Sequence, residues 1–208
     1  MKKLGVVTIG QAPRKDVGPI LEKYIGDDVE LIQVGVLDGM TKAYIEQSLS
    51  PGKDDYVLTT RLLSEESVVL AREKIAPILQ QKLDDLEEQG CRQILLLCTG
   101  VFPGLHTKEA LLIEPDHVIP PAVSALVGDR KFGLIVPLAE QEEHLTDKWS
   151  HVSLSPVCAS VSPYQFDRAR LKKAAEKMKE EHVEMILMDC MGYVEEMREA
   201  LQELTGLP

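Results

Sequence analysis

Two short apolar runs constrain this chain more than any other feature. Gln93-Ile94-Leu95-Leu96-Leu97 stops at Cys98, and Glu184-Met185-Ile186-Leu187-Met188 stops, one residue later, at Cys190. Each is an all-apolar run of four or five residues after a polar joint, so each reads as an apolar strand of a mainly parallel sheet. Each also follows a helix-like stretch rich in Lys, Glu and Gln, over 65–89 and 167–181, and a short polar or glycine joint. In an open α/β sheet, ligands bind beyond the carboxyl ends of the strands. Cys98 and Cys190 therefore stand where chemistry is expected. If the two strands belong to two similar halves facing one cleft, the thiols approach a substrate from opposite sides.

The rest of the chain keeps the same alternation. Leu4–Ile9, Val29–Leu37, Tyr56–Arg61, Lys131–Val136 and Val152–Ala159 read as strands. Lys15–Tyr24, Glu65–Gln89, Leu138–Trp149, Asp167–Glu181 and Val194–Leu204 read as helices, and 40–50 as a short helix or an irregular excursion. Pro13 suits a first helical position, Ser64 a helix cap, and Pro77 is expected to kink or split its helix. Leu111–Glu114 and His117–Pro120 read as strand-like, with a helix from Pro120 through Val127. Strands alternating with helices predict an α/β protein with mainly parallel sheets. The repeated helix–joint–strand–Cys pattern predicts two similar halves around a central cleft, residues 1–103 with Cys98 and 104–208 with Cys190. The ending Leu204-Thr205-Gly206-Leu207-Pro208 reads as a helix cap leading into another strand, so a closing element is expected to be missing.

Composition excludes several function classes. With 23 Lys and Arg against 34 Asp and Glu, the net charge of −11 supplies no basic face for nucleic acid or for an anionic membrane. No apolar stretch approaches the roughly 18 residues of a membrane span. The N-terminal Met1-Lys2-Lys3-Leu4-Gly5-Val6-Val7 is Val-rich like a buried first strand and too short for a signal peptide, which predicts a cytoplasmic protein. The four cysteines, Cys91, Cys98, Cys158 and Cys190, then read as thiols rather than disulfides. They form no Cys-x-x-Cys pair, and the histidines 106, 117, 144, 151 and 182 form no His-x-x-x-His pair, so no metal site is expected. The turn after the first strand, Thr8-Ile9-Gly10-Gln11-Ala12-Pro13, lacks the Gly-x-Gly-x-x-Gly and Walker patterns, so no nucleotide cofactor is expected.

The stretches Leu4-Gly5-Val6-Val7-Thr8-Ile9-Gly10-Gln11-Ala12-Pro13-Arg14, Ile113-Glu114-Pro115 with Ile119-Pro120-Pro121, Gly133-Leu134-Ile135-Val136-Pro137, and Met188-Asp189-Cys190-Met191-Gly192, in this order, resemble the AroM family. That family is in turn distantly similar to the aspartate/glutamate/hydantoin racemase superfamily. The resemblance implies a bacterial protein with two α/β domains around a cleft, and a cysteine near a strand end in each half serving as acid and base without a cofactor. Three departures stand out. Cys98-Thr99-Gly100 lacks the Asn that usually follows the first cysteine. Asp189-Cys190-Met191 lacks the flanking Gly and Thr of the second. Thr8-Ile9-Gly10-Gln11 replaces an acidic or Ser residue after the first strand.

Racemisation removes a proton from one face of a carbon and delivers another to the opposite face. Thiols of ordinary pKa near 8.5 can do both once their ionisation is tuned. Backbone N–H groups of Thr99, Gly100, Met191 and Gly192 are placed to hold a thiolate or a carboxylate. Thr8, Gly10, Gln11 and Arg14 share the first strand–helix turn, where Arg14 would clamp a carboxylate, and the Tyr193 hydroxyl is a further donor. The structural reading stands beside each of these: cysteine packs as a small hydrophobe, Arg14 as a surface residue, and Asp189 either pairs elsewhere or raises the thiol's pKa. Cys91 and Cys158 read as structural, Glu114 as a loop brace or a cleft residue, and His106 and His117 as marginal candidates.

The expected activity is cofactor-independent racemisation or isomerisation of a small carboxylate by Cys98 and Cys190. A ligand-binding or regulatory protein that has lost turnover is the alternative, and a lyase or cis–trans isomerase using one thiol as nucleophile is a third reading. A homodimer is one assembly open to such a chain.

Overall fold

The computed structural model describes residues 2–208, and the side chains of all of these except 143–147. The readings of Met1 in the N-terminal run and of His144 as a non-ligand lie outside the described residues and side chains. The chain divides into a unit that ends at Pro115 and a second unit, Asp116–Pro208.

The first unit holds a parallel sheet in the order β2-β1-β5-β6, built from β1 (Lys2–Thr8), β2 (Val29–Gly35), β5 (Gln93–Leu97) and β6 (Leu111–Ile113). The helices α1 (Gly18–Tyr24), α2 (Lys42–Ser48) and α3 (Arg72–Glu88) lie between these strands in the chain. On α3, Ile75, Leu79, Leu83 and Leu86 recur at helical spacing and are all fully buried, which makes this face the main partner of the sheet. The approach is tight at Gly5 of β1, where a Cβ would lie 3.1 Å from Leu86 and 3.3 Å from the Cys91 sulfur. Residues 104–115, read in the sequence with the second half, belong to this unit because β6 takes its ladder hydrogen bonds from β5.

The long helix expected over 65–89 is corrected. Its first part is a strand, β4 (Ser67–Ala71), paired antiparallel with β3 (Val57–Arg61) in a separate two-stranded ribbon. The Val68-Val69-Leu70 run favours the extended backbone, and Glu65 turns the chain with φ 70°. Ser64 therefore caps no helix. The α-helical residues of α3 run through Pro77 without a break, so the expected split is absent. Pro13 follows a cis peptide and lies outside α1, which starts at Gly18 with a proline in its first turn.

The second unit is a parallel sheet in the order β8-β7-β9: β7 (Phe132–Val136), β8 (Val157–Ser160) and β9 (Met185–Met188). All five residues of β7 are buried, and alternate side chains point to opposite faces. Ile135 packs with Leu171, Ala174, Ala175 and Met178 of α6 (Arg168–Glu180), while Phe132, Leu134 and Val136 pack with Val123, Val127 and Trp149. These last residues belong to α4 (Pro115–Val127) and α5 (Leu145–Ser150), which a 3₁₀ turn at Ala139–His144 precedes. A sheet covered on both faces explains the apolar run of β7, whereas β9, at the edge of this sheet, is half-buried along its length. Pro120 and Pro121 lie inside α4, which corrects the strand-like reading of 117–120. The last helix, α7 (Glu195–Thr205), ends on Gly206 in the left-handed conformation, and the Pro208 carbonyl accepts a hydrogen bond from Ile186 of β9.

Candidate active site

In the first unit, Thr8 of β1 stands level with Leu97 of β5 and Gly35 of β2, so Cys98 follows at the carboxyl edge of the sheet. The Cys98 sulfur accepts a hydrogen bond from the Gly100 N–H at 3.3 Å. A Cβ at Gly100 would lie 2.7 Å from Leu58, so glycine lets the loop close over the thiol. Cys98 is 8% exposed and belongs to the same apolar cluster as Leu58 and Phe102, while Thr99 is half-buried.

The β1–α1 turn is braced by its own side chains. Thr8, buried, accepts hydrogen bonds from the Gly10 N–H and from Arg14 Nη1. Arg14 is 5% exposed, and its Nε and Nη2 donate to the two oxygens of Asp16 at 2.8 and 2.6 Å. Burial pushes the Asp16 carboxyl up, but the hydrogen bond and charge of Arg14 outweigh it and hold the group below its ordinary value. Gln11 Nε2 donates to the carbonyls of Leu37 and Met40, and its Oε1 accepts from Leu63 N–H, which ties the turn to the β3–β4 ribbon. Asp38, which the sequence reading passed over, accepts from Ala12 N–H and Gly35 N–H and closes the adjacent loop. Gln11, Arg14, Asp16 and Arg61 line a small pocket of about 60 Å³ here.

The second unit repeats the local device. Asp189 N–H donates to Ile135 O, which extends the sheet by one residue, and Cys190 follows. The Cys190 sulfur lies 3.4 Å from the Gly192 N–H and 4.0 Å from the Tyr164 hydroxyl. Cys190 is half-buried, less enclosed than Cys98. The Tyr193 hydroxyl donates to Val161 O at 2.7 Å. Burial first, then Cys190 and Asp189, push its phenol pKa far up. Tyr164 was missed in the sequence; its place in the loop beyond β8 was the available signal.

Two further groups were not legible. Lys148 of α5, with a side chain 3% exposed, lies 2.8 Å from Asp189 Oδ2 and 3.9 Å from Asp116 Oδ1. Burial raises the Asp116 carboxyl above its ordinary value, against the opposing pull of Lys148. Elsewhere, burial pushes the Cys158 thiol up to about 11 and raises that of Cys91. His106 and His117 are exposed, and Glu114 is half-buried between β6 and α4. Each of the four cysteines carries a thiol. Among the described residues, no three His, Cys, Asp or Glu side chains gather as metal ligands would, and no helix is long and apolar enough to cross a membrane.

The parallel α/β units with helices between their strands define a class: this is the racemase fold. The structure resembles allantoin racemase from Klebsiella pneumoniae (TM-score 0.61, 13% identity, 100% of this chain and 81% of that one). It also resembles arylmalonate decarboxylase (TM-score 0.55, 14% identity, 99% and 84% covered) and Picrophilus torridus aspartate racemase (TM-score 0.54, 13% identity, 99% and 95% covered). The family model described as AroM protein matches residues 4–208, and the chain belongs to the AroM family. Comparison with curated protein sequences finds no match.

Proposed function

We propose that this chain is a cofactor-independent racemase or isomerase of a small carboxylate, working in the cytoplasm, with Cys98 and Cys190 as acid and base. The observation that carries this reading is the duplicated Cys-x-Gly turn. In both units a thiol follows the carboxyl end of a parallel strand and receives the N–H of the glycine two residues on, at 3.3 and 3.4 Å. An N–H aimed at sulfur favours the thiolate, the form that abstracts a proton. One thiolate takes the proton from the carbon next to the carboxylate. The electron pair passes into the carboxylate as an enediolate, and the other thiol returns a proton to the carbon. Thr8, Gly10, Gln11, Arg14, Thr99, Gly100, Gly192 and Tyr193 form the binding set of this proposal. Arg14 is the only cation among them.

A second reading, a ligand-binding protein without turnover, is favoured by specific contacts. Cys98 is 8% exposed, both ends of the Gln11 amide are engaged by backbone, and the Tyr193 hydroxyl is held by Val161. Proton exchange separates the two. The chain is incubated in D₂O with a panel of small chiral carboxylates, and deuterium at the reacting carbon is read by NMR. Exchange that disappears in both Cys98→Ser and Cys190→Ser supports the racemase reading; full exchange in both variants removes it. Thermal stabilisation by a carboxylate with no exchange establishes the binding protein.

A further inference from the structure

Lys148 and Asp189 form a buried ion pair beside Cys190 that the chemistry above does not use. Their side chains are 3% and 4% exposed, and Nζ lies 2.8 Å from Oδ2. A buried pair is a weak source of stability, because desolvating two charges offsets most of their attraction. What this pair does have is position: Asp189 is the chain neighbour of the thiol, its N–H pinned to Ile135 O on β7. A carboxylate charge next to a thiol opposes its ionisation, and an ammonium that cancels it removes the opposition.

We propose that Lys148 is a positioning residue for Cys190, neutralising Asp189 so that this carboxylate does not oppose formation of the neighbouring thiolate. The inference rests on reading Cys190 as an acid/base group. The charged and titratable groups around the pair and the thiol come from several elements. Asp189 follows β9, Lys148 lies on α5, and Asp116 lies in the first turn of α4 at 3.9 Å from Lys148. Tyr164 approaches from the loop after β8 at 4.0 Å, and Tyr193 precedes α7. His117 and His151 act on Asp116. Without Lys148, Asp189 and Asp116 leave an acidic surround; without Asp189, Lys148 leaves a cationic one.

The test is the pH dependence of Cys190 alkylation by iodoacetamide, read by mass spectrometry of the Cys190 peptide. Wild type is compared with Lys148→Met, Asp189→Asn and the double variant. Lys148→Met is expected to move the half-maximal rate upward by about one pH unit or more, and Asp189→Asn to move it downward. The double variant is expected to return close to wild type. A role in packing alone predicts no such reversal. Should Lys148→Met fail to fold, Asp189→Asn and the double variant still decide the matter. Coincident profiles, or a double variant displaced as far as Lys148→Met, overturn the inference. Alkylation needs no turnover, so a shifted profile in a chain that exchanges no deuterium sinks the racemase reading and keeps this one.

Discussion

The ring of Tyr164 occupies the space that a side chain at Gly192 would need: a Cβ there would lie 2.7 Å from three of its atoms. The same two residues bracket the Cys190 sulfur, one with an N–H at 3.4 Å and the other with a hydroxyl at 4.0 Å. Gly192→Ala must therefore displace Tyr164 or open the turn. Forcing extra volume into a packed position costs about 1–3 kcal/mol. The urea midpoint is expected to fall accordingly, with a changed rate of Cys190 alkylation. An unchanged midpoint and rate would mean that Tyr164 does not sit against this turn.

The thiols are expected to differ in reactivity. Cys158 is pushed up to about 11 by burial, with Glu142 adding to it, whereas Cys190 is half-buried and faces an N–H. At about pH 8, iodoacetamide is expected to label Cys190 well before Cys158. Peptide mapping after a short exposure measures the order, and preferential labelling of Cys158 would contradict the assignment.

Arg14 and Asp16 predict a pH dependence of stability. Arg14 holds the Asp16 carboxyl below its ordinary 3.8, so the folded value lies below the unfolded one. The contribution is then fully present above the unfolded value and lost as pH falls through the folded one. Asp16→Asn is expected to flatten the acid limb of stability below about pH 4, and Arg14→Met to do the same while lowering stability at neutral pH. Urea midpoints taken from pH 6 to pH 3, about the carboxylate range, measure it. An acid limb as steep as that of wild type in Asp16→Asn would show that other carboxylates carry it.

Leu79 tests the packing of α3 on its sheet. It is fully buried on the face shared with Ile75, Leu83 and Leu86. Leu79→Ala is expected to cost about 2–5 kcal/mol, the lost transfer energy plus the cavity left behind. Chemical denaturation followed by far-ultraviolet circular dichroism gives the value. A loss below about 1 kcal/mol would mean that this face does not seal the core.

The sequence by itself determined the alternation of strand and helix, the parallel sheets and the position of both thiols at strand ends. These follow from local rules: an apolar run of four or five residues between polar joints has few other folds open to it. It misled where a neighbour in space outweighed a local preference. Ser67–Ala71 reads as the start of a helix until β3 offers it a ladder, and Pro120 and Pro121 read as a helix start although they lie within α4. The setting of the thiols was decided by tertiary structure alone. Lys148 meets Asp189 across 41 residues of chain, and Tyr164 meets Cys190 across 26. The period of a helix or strand reports which side of its own element a residue faces. It is silent on which distant charge or ring the fold will bring against that side, because that depends on how the sheet orders its strands.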